Sequence, residues 1–559
     1  MRMKFNAYLA IIAMAALCAS CVKEPVAGDG VGQTSGEDRD YAHYSDDVAV
    51  RGWVRIKLDE QSQPLKVGAF TRGEVESGDP RLDEIAAQLG ATEIRRVYAD
   101  GGRFAERRRR FGLHRWYDIK IDENIPVTRA EASIAELPGV AYVQPIYKVK
   151  LLGGPIVPAE YVYVPAAAQA RRSVAAGELP FDDPDLSKQW HYHNDGSIEG
   201  MVAGADINLF EAWKVETGKP NVIVSVHDQG IVLDHEDLAA HIWVNEAEMN
   251  GAEGVDDDGN GYKDDIHGWN YINNSPDIIP EGHGTHVAGT ISAVNNNGIG
   301  VCGVAGGTGE EDGVRIMSLQ ILYQPVAGGS SQFSERAPET YAYAADNGAV
   351  ISQNSWTWTR LSSLPRAYDE AFDYFIENAG MDDSDGDGVN DRQTGPMKGG
   401  IIIFSAGNDY SSRPSFPGAD DRVVCVTSMM PNYMKAGYSN FGDAADIFAP
   451  SGAGSTDTEF SMEGQVYSTD ITDAYGYKAG TSMACPHVSG IAALIVSRYG
   501  VGQPGFTPDK LREILLRSYR SVGQYQKTPA IADGLGVGLV DATMIELENP
   551  GTAPEAPQA

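Results

Sequence analysis

The chain has 559 residues, 42% hydrophobic content and a formal net charge of −34. That length exceeds one small core and suggests two or three domains, while the acidity argues against a nucleic-acid partner, which calls for basic patches. The charge fits an exported, soluble body with cation sites, or an acidity that serves solubility alone.

In chain order, Met1-Arg2-Met3-Lys4 and the short apolar run from Ala7 to Leu17 have the charged start and brief core of a secretory signal, expected over residues 1–20. The run is too short to span a bilayer as a stable helix. Small residues stand directly before Cys21, which resembles a bacterial lipobox with Cys18 where leucine is usual. The expectation is a lipid on Cys21 and anchoring to the membrane at the bacterial cell envelope, with ordinary cleavage and secretion as the alternative. Residues 21–45 are rich in Gly, Ser and Asp and read as a tether.

Residues 46–150 carry a small α+β pattern. Strands are expected at Trp53 to Leu58, Trp116 to Ile121 and Val140 to Pro145, with helices over Leu82 to Leu89 and Arg129 to Leu137. The run Arg107-Arg108-Arg109-Arg110 reads as a solvated basic surface complementing the acidic remainder, or as a processing site. Residues 151–180 read as an exposed linker, the place for a cleavage. From Phe181 strand and helix patterns alternate up to residue 548, which predicts an α/β fold with a largely parallel sheet and helices on both faces. Residues 549–559, rich in Pro and Ala, read as a disordered tail.

Three segments of this α/β part carry groups that do chemistry together. The apolar run Val222 to Val226 reads as a buried strand leading to Asp228, and the carboxyl end of a parallel strand is where α/β sheets place their sites. His283-Gly284-Thr285-His286 opens a small-residue helix. Gly480-Thr481-Ser482-Met483-Ala484 sets a hydroxyl at the mouth of an apolar helix, whose N-terminus offers unpaired N–H groups and a positive dipole end. Imidazole can take a serine proton near neutral pH, and a carboxylate can fix the imidazole tautomer. A fourth segment, an apolar strand from Ile401 ending in Ala406-Gly407-Asn408, offers an amide to a developing oxyanion. His286 and His487 read as scaffold histidines, and Cys485 as buried packing. Cys302, Cys425 and Cys485 form no disulfide framework or zinc set legible from spacing.

The four motifs, in the order Asp, His, Asn, Ser, resemble the subtilisin-like serine proteases, the subtilases. The resemblance covers roughly residues 181–546. It implies a serine endopeptidase in which Asp228 orients, His283 is general base and acid, Ser482 is the nucleophile and Asn408 stabilises the oxyanion, with no cofactor for catalysis. It also implies that a protein or peptide substrate lies as an extra strand between Ser355-Trp356-Thr357 and Gly328-Gly329, beside Gly407. Gln229 stands where Ser or Thr is frequent, Cys485 where Thr is frequent and Thr357 where Gly is usual. Residues 46–150 resemble the inhibitor-like propeptides of this family, which assist folding and cover the cleft in cis, so a latent precursor is expected.

Hard cations want several oxygens on a tightly turned backbone. Asp383, Asp385, Asp387 and Asp391 alternate through a glycine-bearing stretch that resembles calcium loops, and Asp256 to Asp264 has similar spacing. Calcium-binding subtilases imply a further structural site here from Asp183, Asp237 and Asn297, with backbone oxygens of Val294, Ile299 and Val301.

Overall fold

A computed structural model describes residues 48–71, 74–151, 179–324, 331–358, 361–454, 460, 462–471 and 473–543. By contacts the chain separates into Met1–His43, which lies outside the described residues, and Tyr44–Ala559, one compact unit. The signal, Cys21, the whole tether, nearly all of the linker and the tail are likewise outside them.

The first lobe holds strands β1 (Ala49–Leu58), β2 (Gly68–Ala69), β3 (Glu93–Arg96), β4 (Trp116–Lys120) and β5 (Val140–Tyr147), with helices α1 (Pro80–Gln88), α2 (Ala105–Arg110) and α3 (Val127–Ala135). The strands form one antiparallel sheet in the order β2-β3-β4-β1-β5. Asp79 caps α1 by accepting the Arg81 N–H, and Pro80 supplies a preset first-turn φ. Val54, Ile56, Leu82, Ile94, Ile119 and Ile134 close a core belonging to this lobe. Strands and helices therefore sit within a few residues of where alternation and period placed them.

One boundary differs. The linker expected from residue 151 begins inside a strand, β6 (Val149–Leu151), which pairs antiparallel with a segment of the second lobe. That segment offers unpaired backbone groups, and an extended chain satisfies them.

The second lobe contains, in chain order, α4 (Leu209–Ala212), β7 (Ile223–Gln229), α5 (Glu246–Met249), β8 (Gly268–Asn270), α6 (Gly282–Ser292), β9 (Arg315–Tyr323), β10 (Gln332–Phe333), α7 (Glu339–Asp346), β11 (Ile351–Asn354), β12 (Trp356–Trp358), α8 (Arg366–Asn378), β13 (Met381–Asp382) and β14 (Arg392–Gln393). There follow β15 (Ile401–Ser405), β16 (Val424–Met429), β17 (Ile447–Pro450), β18 (Val466–Asp470), β19 (Ala474–Lys478), α9 (Thr481–Tyr499), α10 (Pro508–Arg517), β20 (Tyr519–Arg520), α11 (Pro529–Asp533) and β21 (Leu539–Val540). The main sheet runs β10-β9-β7-β11-β15-β16-β17-β21-β20, parallel from β9 to β21 with antiparallel edge pairs. Its order reverses at β7, which has β9 on one side and β11 on the other. A crevice outside the strands' carboxyl ends is expected at such a switch point.

Helix α9 is buried from Thr481 to Ser497, as an apolar run without a polar face demands, and packs against β11, β15, β16 and β17. The first lobe rests on α7 and α8. Trp116 and Tyr98 join Tyr341, Tyr368 and Phe372 in one core that continues across the two lobes. At about 25 cal/mol per Å², a ring burying about 200 Å² contributes on the order of 5 kcal/mol.

Only half of the arginine run is solvated. Arg107 and Arg108 are each 1% exposed, covered by the second lobe, while Arg109 and Arg110 face water. Acidic residues of α7 draw the inner pair in, so that pair complements the acidic remainder while the outer pair is solvated.

Candidate active site

Three elements converge at the switch point. Asp228 is the last but one residue of β7, His283 the second of α6 and Ser482 the second of α9, and all three side chains are buried. Helix α6 packs on both β7 and α9, which its small residues permit.

Asp228 Oδ1 lies 2.7 Å from His283 Nδ1. Because a carboxylate accepts, Nδ1 carries the proton and Nε2 is left as the basic nitrogen. The same Oδ1 accepts the Gln229 N–H at 2.6 Å, whereas Oδ2 is buried with no hydrogen-bond partner among the described residues. Gln229 does more than replace a hydroxyl residue. Its Oε1 accepts the His283 backbone N–H at 3.0 Å, satisfying one of the orphan donors at the start of α6. In the sequence Gln229 is legible only as a departure, since its partner is remote in sequence.

Ser482 Oγ donates to Ser355 O at 3.2 Å, and Ser355 Oγ donates to Ser482 O at 2.9 Å, which ties the mouth of α9 to the segment after β11. Asn408 Oδ1 accepts the Thr481 N–H at 3.0 Å and the Thr481 hydroxyl at 2.8 Å. A backbone N–H can only donate, so the amide has one orientation, and Nδ2 is left as a donor with no partner among the described residues. Gly407 has φ +108°, and a Cβ there would lie 2.3 Å from Asn440 Nδ2, so glycine is required beside the asparagine.

Trp356 and Thr357 belong to β12, the strand paired with β6 in the register Trp356↔Leu151, Thr357↔Lys150 and Trp358↔Val149. Thr357 Oγ1 donates to Phe416 O at 2.7 Å, which gives the residue found in place of glycine a buried partner. Gly328 and Gly329 lie outside the described residues. Cys485 is fully buried, with Sγ 3.3 Å from Gln353 Oε1, and burial pushes its thiol up to about 12, as packing requires. His286 and His487 are buried too, neither in contact with the Asp228 carboxylate.

Sequence reading missed Glu281, two residues before His283. Burial pushes its carboxyl up to about 7; Oε1 accepts the Gln324 N–H at 2.7 Å and Oε2 has no hydrogen-bond partner among the described residues.

The family model for the subtilase family matches residues 219–538, more than half of the chain. The chain belongs to the subtilase family. Among curated subtilase relatives, the extracellular basic protease of Dichelobacter nodosus is 29% identical over 375 residues, covering 65% of this chain and 55% of that protein. The halolysin-like extracellular serine protease Nep of Natrialba magadii is 28% identical over 391 residues, covering 69% of this chain and 59% of that protein. The chain thus spans little more than half the length of these relatives. Among solved structures, fervidolysin of Fervidobacterium pennivorans, described as a keratinolytic enzyme related to subtilisin, matches with a TM-score of 0.56 at 20% identity. That match covers 91% of this chain and 62% of the other, and it shows the subtilase fold.

Away from this centre, several carboxylates gather in a way that suits a cation. Asp183 Oδ1 is buried with no hydrogen-bond partner among the described residues, and burial beside it pushes Asp237 up to about 8. Asn297 Nδ2 and the Val301 N–H both donate to Asp237, each at 2.8 Å, so the loop wraps that carboxylate. Asp383, Asp385 and Asp387 have carboxylate oxygens within 4.8 Å of one another; Glu248, Asp256 and Asp258 do likewise, with Glu248 not foreseen from sequence. Asp391 is turned to the Ser384 N–H and hydroxyl instead of joining the first group. No described helix is long and apolar enough to cross a membrane.

Proposed function

We propose that this subtilase is an exported serine endopeptidase that is synthesised latent. The observation that carries the reading is the 2.7 Å contact from His283 Nδ1 to Asp228, which leaves Nε2 basic, in a centre where the Asn408 amide is fixed beside the start of α9. In the proposed reaction His283 Nε2 takes the Ser482 proton as Oγ attacks the scissile carbonyl. Asn408 Nδ2 and the Ser482 N–H stabilise the oxyanion. The protonated imidazole then gives its proton to the leaving amine, and water repeats the sequence to release the acyl group. Asp228 holds the tautomer and stabilises the imidazolium.

Latency is supported by β6, whose pairing with β12 occupies the backbone edge that an extended substrate would use. In this reading residues 46–150 are the covering propeptide and 151–180 the segment in which it is cut. Export is supported by the signal pattern of residues 1–20 and by the extracellular relatives; Cys21 is the proposed lipid attachment point. Calcium is proposed as a structural ligand: Asp183, Asp237 and Asn297 would hold it with the Val294, Ile299 and Val301 carbonyls, and Asp383, Asp385 and Asp387 would hold another. The orphaned Asp183 oxygen and the raised Asp237 carboxyl support the first site, because a bound cation would relieve both.

The test is hydrolysis of a mixed library of fluorogenic peptides. Cleavage is expected from purified protein whose first lobe has been removed, with none from Ser482→Ala treated alike. Equal cleavage by Ser482→Ala would overturn the assignment.

A further inference from the structure

Asp346 is the last residue of α7, fully buried, at the helix end where unpaired carbonyls already carry negative charge. A carboxylate there is disfavoured both by burial and by the dipole unless cations sit on it. Two do, and both come from the first lobe. Arg107 Nη2 is 2.5 Å from Asp346 Oδ1, and Arg108 Nε is 2.8 Å from Oδ2. The rest of the second lobe is shaped to the same pair. Arg107 donates to Tyr374 Oη at 3.0 Å, to Met381 O at 2.9 Å and to Asn390 Oδ1 at 3.2 Å, and Tyr374 Oη donates to Asp346 Oδ1 at 2.6 Å. Gly101 leaves the space for Arg108: with φ +83°, a Cβ there would lie 2.4 Å from the Arg108 side chain. Neighbouring helix residues point about 100° apart, so two guanidiniums meeting on one carboxylate is recognition of adjacent arginines, not a chance surface pair.

We propose that the Asp346 end of α7, with Tyr374, Met381 and Asn390, is a receptor for two adjacent arginines, occupied in this chain by Arg107-Arg108. It latches the first lobe at a point separate from β12, and an arginine-paired peptide free in solution competes for it. The latching role rests on the reading of the first lobe as a cover; the receptor itself does not.

The probe is a fluorescent peptide with the sequence of residues 99–111, and the protein is the full chain carrying Arg107→Gln and Arg108→Gln, which vacates the receptor. At low salt the peptide is expected to bind at least tenfold more tightly than the same peptide with glutamine at those two positions, and Asp346→Asn in the protein should erase the difference. Equal binding of the two peptides, or a difference that survives Asp346→Asn, overturns the proposal. Should the double variant not fold, the second measurement is hydrogen exchange on Asp346→Asn in the otherwise unaltered chain. Amides of residues 99–111 should then exchange at least tenfold faster while β1 and β4 keep their protection; unchanged exchange overturns the proposal. Neither readout involves Ser482, so an inert Ser482 would sink the peptidase reading and leave this result standing.

Discussion

Asn408 has one orientation open to it, because the Thr481 N–H and hydroxyl both take its Oδ1. Asn408→Ala is therefore expected to lower kcat by about 10²–10³ with KM little changed, a magnitude known from subtilisin itself. Steady-state kinetics check it, and a change confined to KM would contradict an oxyanion role. Gln229 acts at one remove, since its amide oxygen holds the His283 N–H. Gln229→Ala should cost roughly tenfold in kcat/KM, the size of about one lost hydrogen bond, with the same pH profile as the parent. The groups proposed to react stand out in the sequence because each sits in a short local pattern, a strand end or a helix mouth. Gln229 was not, because its role appears only when α6 is laid against β7. Glu281 was hidden for the same reason: burial beside the site, not its neighbours in sequence, perturbs it.

At the scale of elements, buried histidines tie α9 to the segment before α4 and α6 to the β18–β19 pair. His487 Nδ1 faces Met483 O at 2.7 Å and must donate, so its Nε2 accepts from His191 Nδ1 at 2.8 Å. Burial pushes His487 down to about 4 and holds His191 and His286 well below their ordinary value. Unfolded histidines titrate near 6.5, so between about pH 6.5 and 4 the unfolded chain binds more protons than the folded one. The stability is fully present above pH 6.5 and is lost as pH falls toward 4, by on the order of 3 kcal/mol for His487. Urea melts across that range should show the decline, with a shallower slope in His487→Gln; an identical slope in the variant would contradict the assignment. The helices themselves were readable from apolar runs and capping residues. The tie between α9 and the segment before α4 was not, since it depends on a ring brought from position 191 to position 487. The strand β6 was missed differently. Alone it has no pattern beyond three residues, and it is a strand because β12 offers it an edge.

At the scale of the molecule, two lobes share a core and a set of buried charges. Lys57 and the Trp116 indole both meet Glu370 of α8, and Arg55, itself paired with Asp118, also reaches the Glu335 carbonyl. The α/β class and the small N-terminal lobe were legible from alternation. Their mutual docking was not, because a carboxylate on one lobe and an arginine 239 positions earlier leave no local trace. The first proposed cation site also acts at this scale, tying loops before and after α6 to the N-terminal end of the second lobe. Ligand saturating a site at 100 times Kd contributes about 2.7 kcal/mol, so in a unit of this size removing calcium with a chelator should lower Tm by roughly 2–3 °C per site. Asp237→Asn should blunt that response; a Tm indifferent to chelator would contradict the site.

The central claim is that Ser482 is a nucleophile kept covered until the first lobe is released. The most direct measurement is fluorophosphonate labelling followed by peptide mass mapping, on the intact chain and on protein freed of residues 46–150 by limited proteolysis. The account predicts one adduct, on Ser482, forming slowly in the intact chain and rapidly in the freed protein, and absent from His283→Ala. No adduct on Ser482 in the freed, folded protein would contradict it.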